Sequence, residues 1–355
     1  MHPVNIADIE LLAEKKLTKM AYDHYFGGAN DEVTLKENIE AYKKIFLKYR
    51  VLADVSIRNL STSVLGQQIS MPVVIAPTAF HKMSHPEGEV AVAKAAKSEN
   101  TIMILSTLSN SDVEDVVNAN KNFVWFQLYV YKDRIVTREL IKRVESAGVK
   151  ALVLTVDAPV LGQRERDIRN GFYLPDGLTV SNLLPVSKEI FPEKNDSGLA
   201  NYVKNFIDPS LSWKDIDWIR SVTELPLIIK GIGCKEDALK SVEYGADGIV
   251  VSNHGGRQLD TCRATINVLP EVAEIVNNKI EIYLDGGIRR GTDVIKALAF
   301  GAKAVLIGRP VIWGLAYDGE NGVRKILDIF RNEIDLALAL CGLNSVKNIS
   351  KDIIA

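Results

Sequence analysis

The chain has 355 residues, 47% of them hydrophobic, and a formal net charge of -2. It is long enough for one large α/β barrel or two smaller domains, and its balanced charge gives no reason to expect nucleic acid or a membrane surface as partner. The three cysteines, Cys234, Cys262 and Cys341, are scattered and make neither a metal pattern nor a disulfide framework.

In chain order, residues 5–26 read as amphipathic helices, with Ile9, Leu12, Ala13, Leu17 and Met20 at helical spacing and Gly27-Gly28 as the stop. The start lacks the basic-then-apolar build of a signal peptide, and no apolar run approaches the roughly 18 residues of a membrane span. The end, Lys351 to Ala355, is not a peroxisomal tripeptide, so the expected location is cytoplasmic. A further helix is expected over 34–42, then an irregular, extended stretch.

From Met71 the pattern becomes short apolar runs alternating with longer amphipathic segments. The runs are 73–76, 102–105, 123–128, 151–156, 227–229, 249–251, 282–284 and 304–307. Helices are expected at 87–99, 113–119, 137–147, 213–222, 235–244, 270–276 and 292–300. Eight such units predict a (β/α)₈ TIM barrel, an α/β fold with an N-terminal helical extension. A doubly wound open sheet is the competitor, disfavoured by the regular count and by the lack of an early Gly-x-Gly-x-x-Gly turn. The expected organisation is one domain over 1–355: N-terminal helices and extension in 1–70, the barrel in 71–310, helices in 311–355. The stretch 163–211, after the fourth strand, carries little pattern and is a candidate lid.

In such a barrel the active site is built from residues just after each strand. Those positions hold Pro77, Thr78 and Ala79; Ser106; Gln127 and Tyr129; Thr155 and Asp157, with Arg164 shortly after; Lys230; Ser252, His254 and Arg257; Asp285 to Arg289; and Gly308 with Arg309. His254 and Arg257 deliver a base and a permanent cation together, which suits proton abstraction from an acidic small molecule. Asp157 is placed to orient His254 and raise its proton affinity. Asp285, Gly286, Gly287, Arg289, Gly308 and Arg309 form the usual phosphate site of this barrel; phosphosugars, nucleotides and FMN all fit it. The hydroxyl and amide set Thr78, Ser106, Gln127 and Thr155 suits a flat heteroaromatic ring. Lys230 would stabilise the negative charge of a reduced flavin, so FMN is preferred. His2 is terminal, and His81 and His85 are expected to be loop-packing or surface residues. No residue group has metal spacing.

The motifs Ser252-Asn-His-Gly-Gly-Arg-Gln258 and Leu284-Asp-Gly-Gly-Ile-Arg-Arg-Gly-Thr-Asp293 carry a resemblance. Pro77-Thr78, Phe126-Gln-Leu-Tyr129 and Leu154-Thr-Val-Asp157 reinforce it. The chain resembles, nearly end to end, the FMN-dependent L-2-hydroxy acid oxidases and dehydrogenases. The resemblance implies His254 as catalytic base supported by Asp157, and Arg257 and Arg164 as carboxylate ligands. It places Tyr129 on the oxygen at C2, and Lys230 by the flavin N1/O2 edge. Asp285, Arg289 and Arg309 fall at the phosphate end, and the small Ala79 next to N5, compatible with approach of O2.

It further implies a small 2-hydroxy acid and O2 as partners, H2O2 as product and a homo-tetramer or homo-octamer. Two positions depart from the pattern. His24 stands where most small-acid oxidases carry a tyrosine on the carboxylate, and Leu108 stands where glycolate oxidases tend to carry a tryptophan. Leu108 leaves space beside C2, so lactate is expected to compete well with glycolate. The alternatives are a dehydrogenase passing electrons to a quinone or protein, and a flavin-binding homologue disabled at His24.

Overall fold

The computed structural model describes residues 2–183 and 198–355. A hairpin of β1 (Thr62–Val64) and β2 (Gln67–Ile69) precedes eight barrel strands: β3 (Val73–Ile75), β4 (Met103–Ser106), β5 (Val124–Leu128), β6 (Leu152–Thr155), β7 (Leu227–Ile232), β8 (Gly248–Val251), β9 (Glu281–Asp285) and β10 (Ala304–Ile307). These eight close into a barrel as β10 pairs in parallel with β3. Their continuous apolar character follows from burial on both faces. Val73 and Ile75 of β3 turn outward to the helices, while Val74 turns inward with Ile104, Trp125, Val153, Ile228, Val250, Tyr283 and Leu306.

The hairpin was not anticipated within the extended stretch. Leu65 and Gly66 form its two-residue loop with φ of 43° and 76°, the positive values that match strand twist in such a turn. It stoppers the N-terminal end of the barrel. Val64 and Ile69 join the interior cluster, Trp125 Nε1 donates to Gln67 Oε1 at 3.0 Å, and the Leu65 N–H donates to Glu281 Oε2 at 2.9 Å.

Around the barrel run α4 (Gly88–Ser98), α5 (Val113–Ala119), α6 (Arg134–Ala147), α9 (Asp215–Val222), α10 (Lys235–Glu243), α11 (Thr265–Val276) and α12 (Gly291–Ala299), and the chain closes with α13 (Arg309–Leu340), kinked at Asp318–Gly319. The expected helix at 270–276 begins five residues earlier, with Pro270 inside it. Burial of Ile266, Val268 and Leu269 outweighs the backbone bond that proline cannot make.

The N-terminal extension holds α1 (Ile6–Glu14), α2 (Lys19–Phe26) and α3 (Val33–Lys43). It is fastened over the C-terminal mouth of the barrel. Asp260 accepts from the free N–H groups of Thr34 (2.8 Å) and Val33 (3.3 Å) at the start of α3. The amides of Asn38 and Asn253 exchange two hydrogen bonds of 2.8 Å. The approach is so close that a Cβ at Gly287 (φ +79°) would lie 1.9 Å from the Asn38 carbonyl oxygen; this position admits glycine alone.

The stretch 163–211 is not without structure. It contains α7 (Glu165–Arg169) and α8 (Gly198–Phe206), and Ile207 bridges to Tyr131. The part of the expected lid at 184–197 lies outside the described residues. No helix among the described residues is long and apolar enough to cross a membrane.

Candidate active site

The strand ends converge on one cavity, whose lining includes His254, Arg257, Arg164, Tyr129, Lys230, Gln127, Thr155, Ser106, Pro77, Thr78, Ala79, Leu108, His24, Asp285, Gly286, Gly287, Arg289, Gly308 and Arg309. Two residues expected there stand behind the wall. Asp157 touches His254, and Ser252 accepts from Lys230 Nζ at 3.0 Å and from the His254 N–H at 3.1 Å. Ser252 thus ties Lys230 to His254 at the edge of the ring site.

His254 follows β8 in a left-handed conformation, φ 56°, which turns its ring back over the strand end. Its Nδ1 lies 2.8 Å from Asp157 Oδ1, so Nδ1 carries the proton and Nε2 offers a lone pair. Burial lowers the imidazole's pKa, and Lys230 and Arg164 add to this against the pull of Asp157. The ring is a neutral base at neutral pH. Burial alone would raise Asp157, but His254 and Lys230 outweigh it and hold the carboxyl below its usual value. Tyr129 stays a phenol, pushed up to about 12 by burial and then by Asp157, and so keeps a hydrogen to donate.

Arg164 and Arg257 face the same space. Arg257 Nη1 donates to the carbonyls of His24 and Gly27 (2.8 Å to the latter), which leaves Nη2 and Nε for an anion. Burial pulls both guanidiniums below their ordinary range, and Arg257 adds to the effect on Arg164. A carboxylate between them would relieve that strain and accept paired hydrogen bonds.

The other half of the cavity has a mixed set of open polar atoms. Ser106 Oγ (3.3 Å) and the Thr107 N–H (3.2 Å) both donate to Gln127 Oε1, which turns Gln127 Nε2 outward. Gln127 Nε2, Thr155 Oγ1 and Asp285 Oδ1 are buried with no hydrogen-bond partner among the described residues. A buried polar atom left so is costly, and this set calls for a ligand with both carbonyl and N–H edges. Lys230 Nζ sits 3.2 Å from Asp285 Oδ2. Burial opposes its charge, but Asp285 and then Asp157 outweigh burial and raise its pKa, so a cation is fixed beside the ring site.

At the far end, Arg289 lies 4.8 Å over the Trp313 ring. Arg309 donates to the carbonyls of Tyr25, Gly27 and Gly255 at 2.9, 2.9 and 3.0 Å, so part of its fork clamps the N-terminal arm and two N–H groups remain. With the glycine backbone of Gly286, Gly287 and Gly308 these suit a phosphate. A heteroaromatic ring joined to a phosphate fits the whole cavity.

Comparison with known proteins agrees. The family model described as FMN-dependent dehydrogenase matches residues 13–355. The chain belongs to that family. Glycolate oxidase 3 of Arabidopsis thaliana is 52% identical over 99% of this chain and 95% of that protein. L-lactate oxidase of a Nostoc species is 51% identical over 98% of this chain and 96% of its own length. Among solved structures, mandelate oxidase with (S)-4-hydroxymandelic acid superposes with a TM-score of 0.94 at 37% identity, covering 99% of this chain and 98% of that one. As a member of the FMN-dependent dehydrogenase family the chain uses FMN, to which the open donors and acceptors above are suited.

Several wall residues were not anticipated. Leu199, Tyr202, Val203 and Ile207 of α8 and its end line the cavity; the spacing Leu199, Tyr202, Val203, Phe206 is a helical signal inside a stretch read as patternless. His81 is buried and its Nε2 meets the Thr78 hydroxyl, so it packs in its loop as expected and also orients Thr78. Asp167, buried on α7, holds His24; nothing in the sequence pairs residues so far apart.

Proposed function

We propose that this protein is an FMN-dependent oxidase of small L-2-hydroxy acids. It converts them to 2-oxo acids, with lactate preferred and O2 reduced to H2O2. The observation that carries the reading is that a neutral His254, backed by Asp157 at 2.8 Å, faces the same cavity as the guanidiniums of Arg164 and Arg257 and the phenol of Tyr129. A base, a carboxylate clamp and a donor for the C2 oxygen are the parts that oxidation of a 2-hydroxy acid requires.

Arg164 and Arg257 take the substrate carboxylate and fix which face of C2 is presented. Tyr129 donates to the oxygen on C2. His254 Nε2 removes a proton from the bound acid, and Asp157 stabilises the imidazolium that results. Bound FMN supplies the two-electron acceptor for the hydrogen lost from C2. Lys230 would lie at its ring edge, Gln127 and Thr155 along the ring, and Arg289 and Arg309 at the phosphate. Ala79, a small residue in the cavity wall, leaves room for O2 to approach, which supports oxidase over dehydrogenase. Leu108, buried at the cavity, leaves room for a methyl group, which supports lactate over glycolate.

A homo-tetramer or homo-octamer is inferred as well. Phe46, Tyr49, Val51, Leu52 and Ile57, all between positions 46 and 57, are each exposed, apolar surface that suits contact between copies; light scattering measures the state.

The deciding experiment is anaerobic mixing of the holoenzyme with L-lactate, glycolate and L-2-hydroxyoctanoate in turn. Loss of the flavin's visible absorption, then its return in air with peroxide release, is the expected result, fastest with lactate. Bleaching that air barely reverses would identify a dehydrogenase with another acceptor. A flavin that no acid bleaches would overturn the reading.

A further inference from the structure

His24 lies on α2, buried to 3% exposure, at the cavity wall that also carries Arg164 and Arg257. Its Nδ1 sits 3.1 and 3.2 Å from the two oxygens of Asp167. The ring is stacked on Phe172 at 4.1 Å with 17° between planes, and Phe80 lies 5.9 Å away. The orientation is therefore fixed from two sides.

The carboxylate keeps a proton on Nδ1, so a neutral ring offers only a lone pair at Nε2. A lone pair repels an incoming carboxylate; an imidazolium N–H would bind it. The tyrosine usual at this place in related oxidases donates without needing any proton.

We infer that His24 is a third ligand of the substrate carboxylate and acts as an imidazolium, so that each substrate anion is bound together with one proton from solvent. This rests on the hydroxy-acid reading of the cavity. The charged groups facing His24 are Asp167 and Arg164 from α7 and its start, and Arg257 from the loop after β8; Phe80 and Phe172 bring only rings. In the free protein burial brings His24 down to about 4, with Arg257 and Arg164 pushing the same way against Asp167. Asp167 itself is held at about 2: burial would raise it, and His24 first, then Arg257 and Arg164, outweigh burial. An anion seated between the two guanidiniums cancels the charge that opposes protonation, and Asp167 then favours it unopposed. The balance is one ligand anion and one proton bound, with no bond broken.

The test uses 2-hydroxy-2-methylpropanoate, which has no hydrogen on C2 and cannot be oxidised. Its Kd for the FMN holoenzyme is read from the flavin difference spectrum between about pH 8 and about pH 5. Proton uptake is read by calorimetry in buffers of different ionisation heat. The expected result is a Kd that tightens as pH falls, by up to about tenfold per unit, with uptake rising toward one proton per ligand. In His24→Tyr the uptake at this position is lost and the profile flattens. In Asp167→Asn the uptake moves to lower pH, since the group favouring the imidazolium is gone.

A flat wild-type profile overturns the proposal. So does equal uptake in wild type and His24→Tyr, which would place the proton on His254. If the ligand gives no difference spectrum and lactate does not bleach the flavin, the hydroxy-acid reading itself fails. Bleaching by lactate beside a flat profile sinks only the role of His24.

Discussion

The two ends of the barrel are built from the same strands and differ in almost every other respect. On β5, Trp125 points into the N-terminal half of the interior and Gln127, two residues on, reaches the cavity; on β9 the same step leads from Tyr283 to Asp285, and on β7 from Ile228 to Lys230. Residues two apart share a face of a strand, so one step along each strand crosses from packing to chemistry. In the lower half Trp125 meets Tyr283 edge-on at 5.8 Å and donates to the hairpin. In the upper half Gln127, Thr155 and Asp285 keep atoms without protein partners. One end spends its residues on its own stability, the other holds them ready for a ligand.

Substitutions at the two ends should therefore fail in different ways. The largest effect is expected from His254→Asn. With the base removed, flavin reduction by lactate should slow by roughly 10²–10⁴-fold, while thermal stability and FMN content change little; rapid-mixing absorbance and a melting curve measure both. The opposite pattern is expected from Trp125→Ala, which should cost about 3–5 kcal/mol of stability by leaving a cavity between barrel and hairpin, seen in chemical denaturation. Turnover per folded molecule should stay close to wild type. If Trp125→Ala instead abolished turnover in fully folded protein, the two ends would not be separable.

Asp157→Asn probes the upper end one layer out, since Asp157 acts through His254. Removal of one hydrogen bond to a charged group should cost about 1.5–3 kcal/mol in the transition state, roughly ten- to a hundredfold in kcat. The sign of the pH effect follows from the charges. Asp157 raises the proton affinity of His254, so its loss lowers the His254 pKa and moves the acid limb of kcat/KM to lower pH. A limb that moves upward would reject Asp157 as the partner of the base. The smallest effect is expected from Leu108→Trp, which should shift preference from lactate toward glycolate by about 1–3 kcal/mol, read as the ratio of the two kcat/KM values.

Much of the upper end was legible because barrel chemistry recurs at strand ends, and the apolar runs mark those ends to within a few residues. The run expected at 227–229 extends to Ile232 because Lys230 still pairs with Val250 and, past a bulge at Gly231, Ile232 pairs with Val251. The hairpin escaped notice since each of its strands has only three residues, too few for alternation to show. The helix α8 was hidden among prolines, asparagines and aspartates that read as loop. The His24–Asp167 contact spans 143 positions, and a pairing at that distance leaves no periodic trace. Its first partner, His24, could be singled out only as a departure from a familiar pattern.

The fastening of the N-terminal arm has a consequence for the order in which the enzyme comes into being. Asn38 meets Asn253 across 215 positions, and Arg309 reaches Gly27 across 282. During synthesis the roof of the cavity leaves the ribosome long before the strands that form its floor, and must wait for them. No nascent fragment ending before β10 owns both the phosphate end and the base. Flavin chemistry is thereby withheld until β10 has been made, a timing written into the topology and requiring no separate inhibitor.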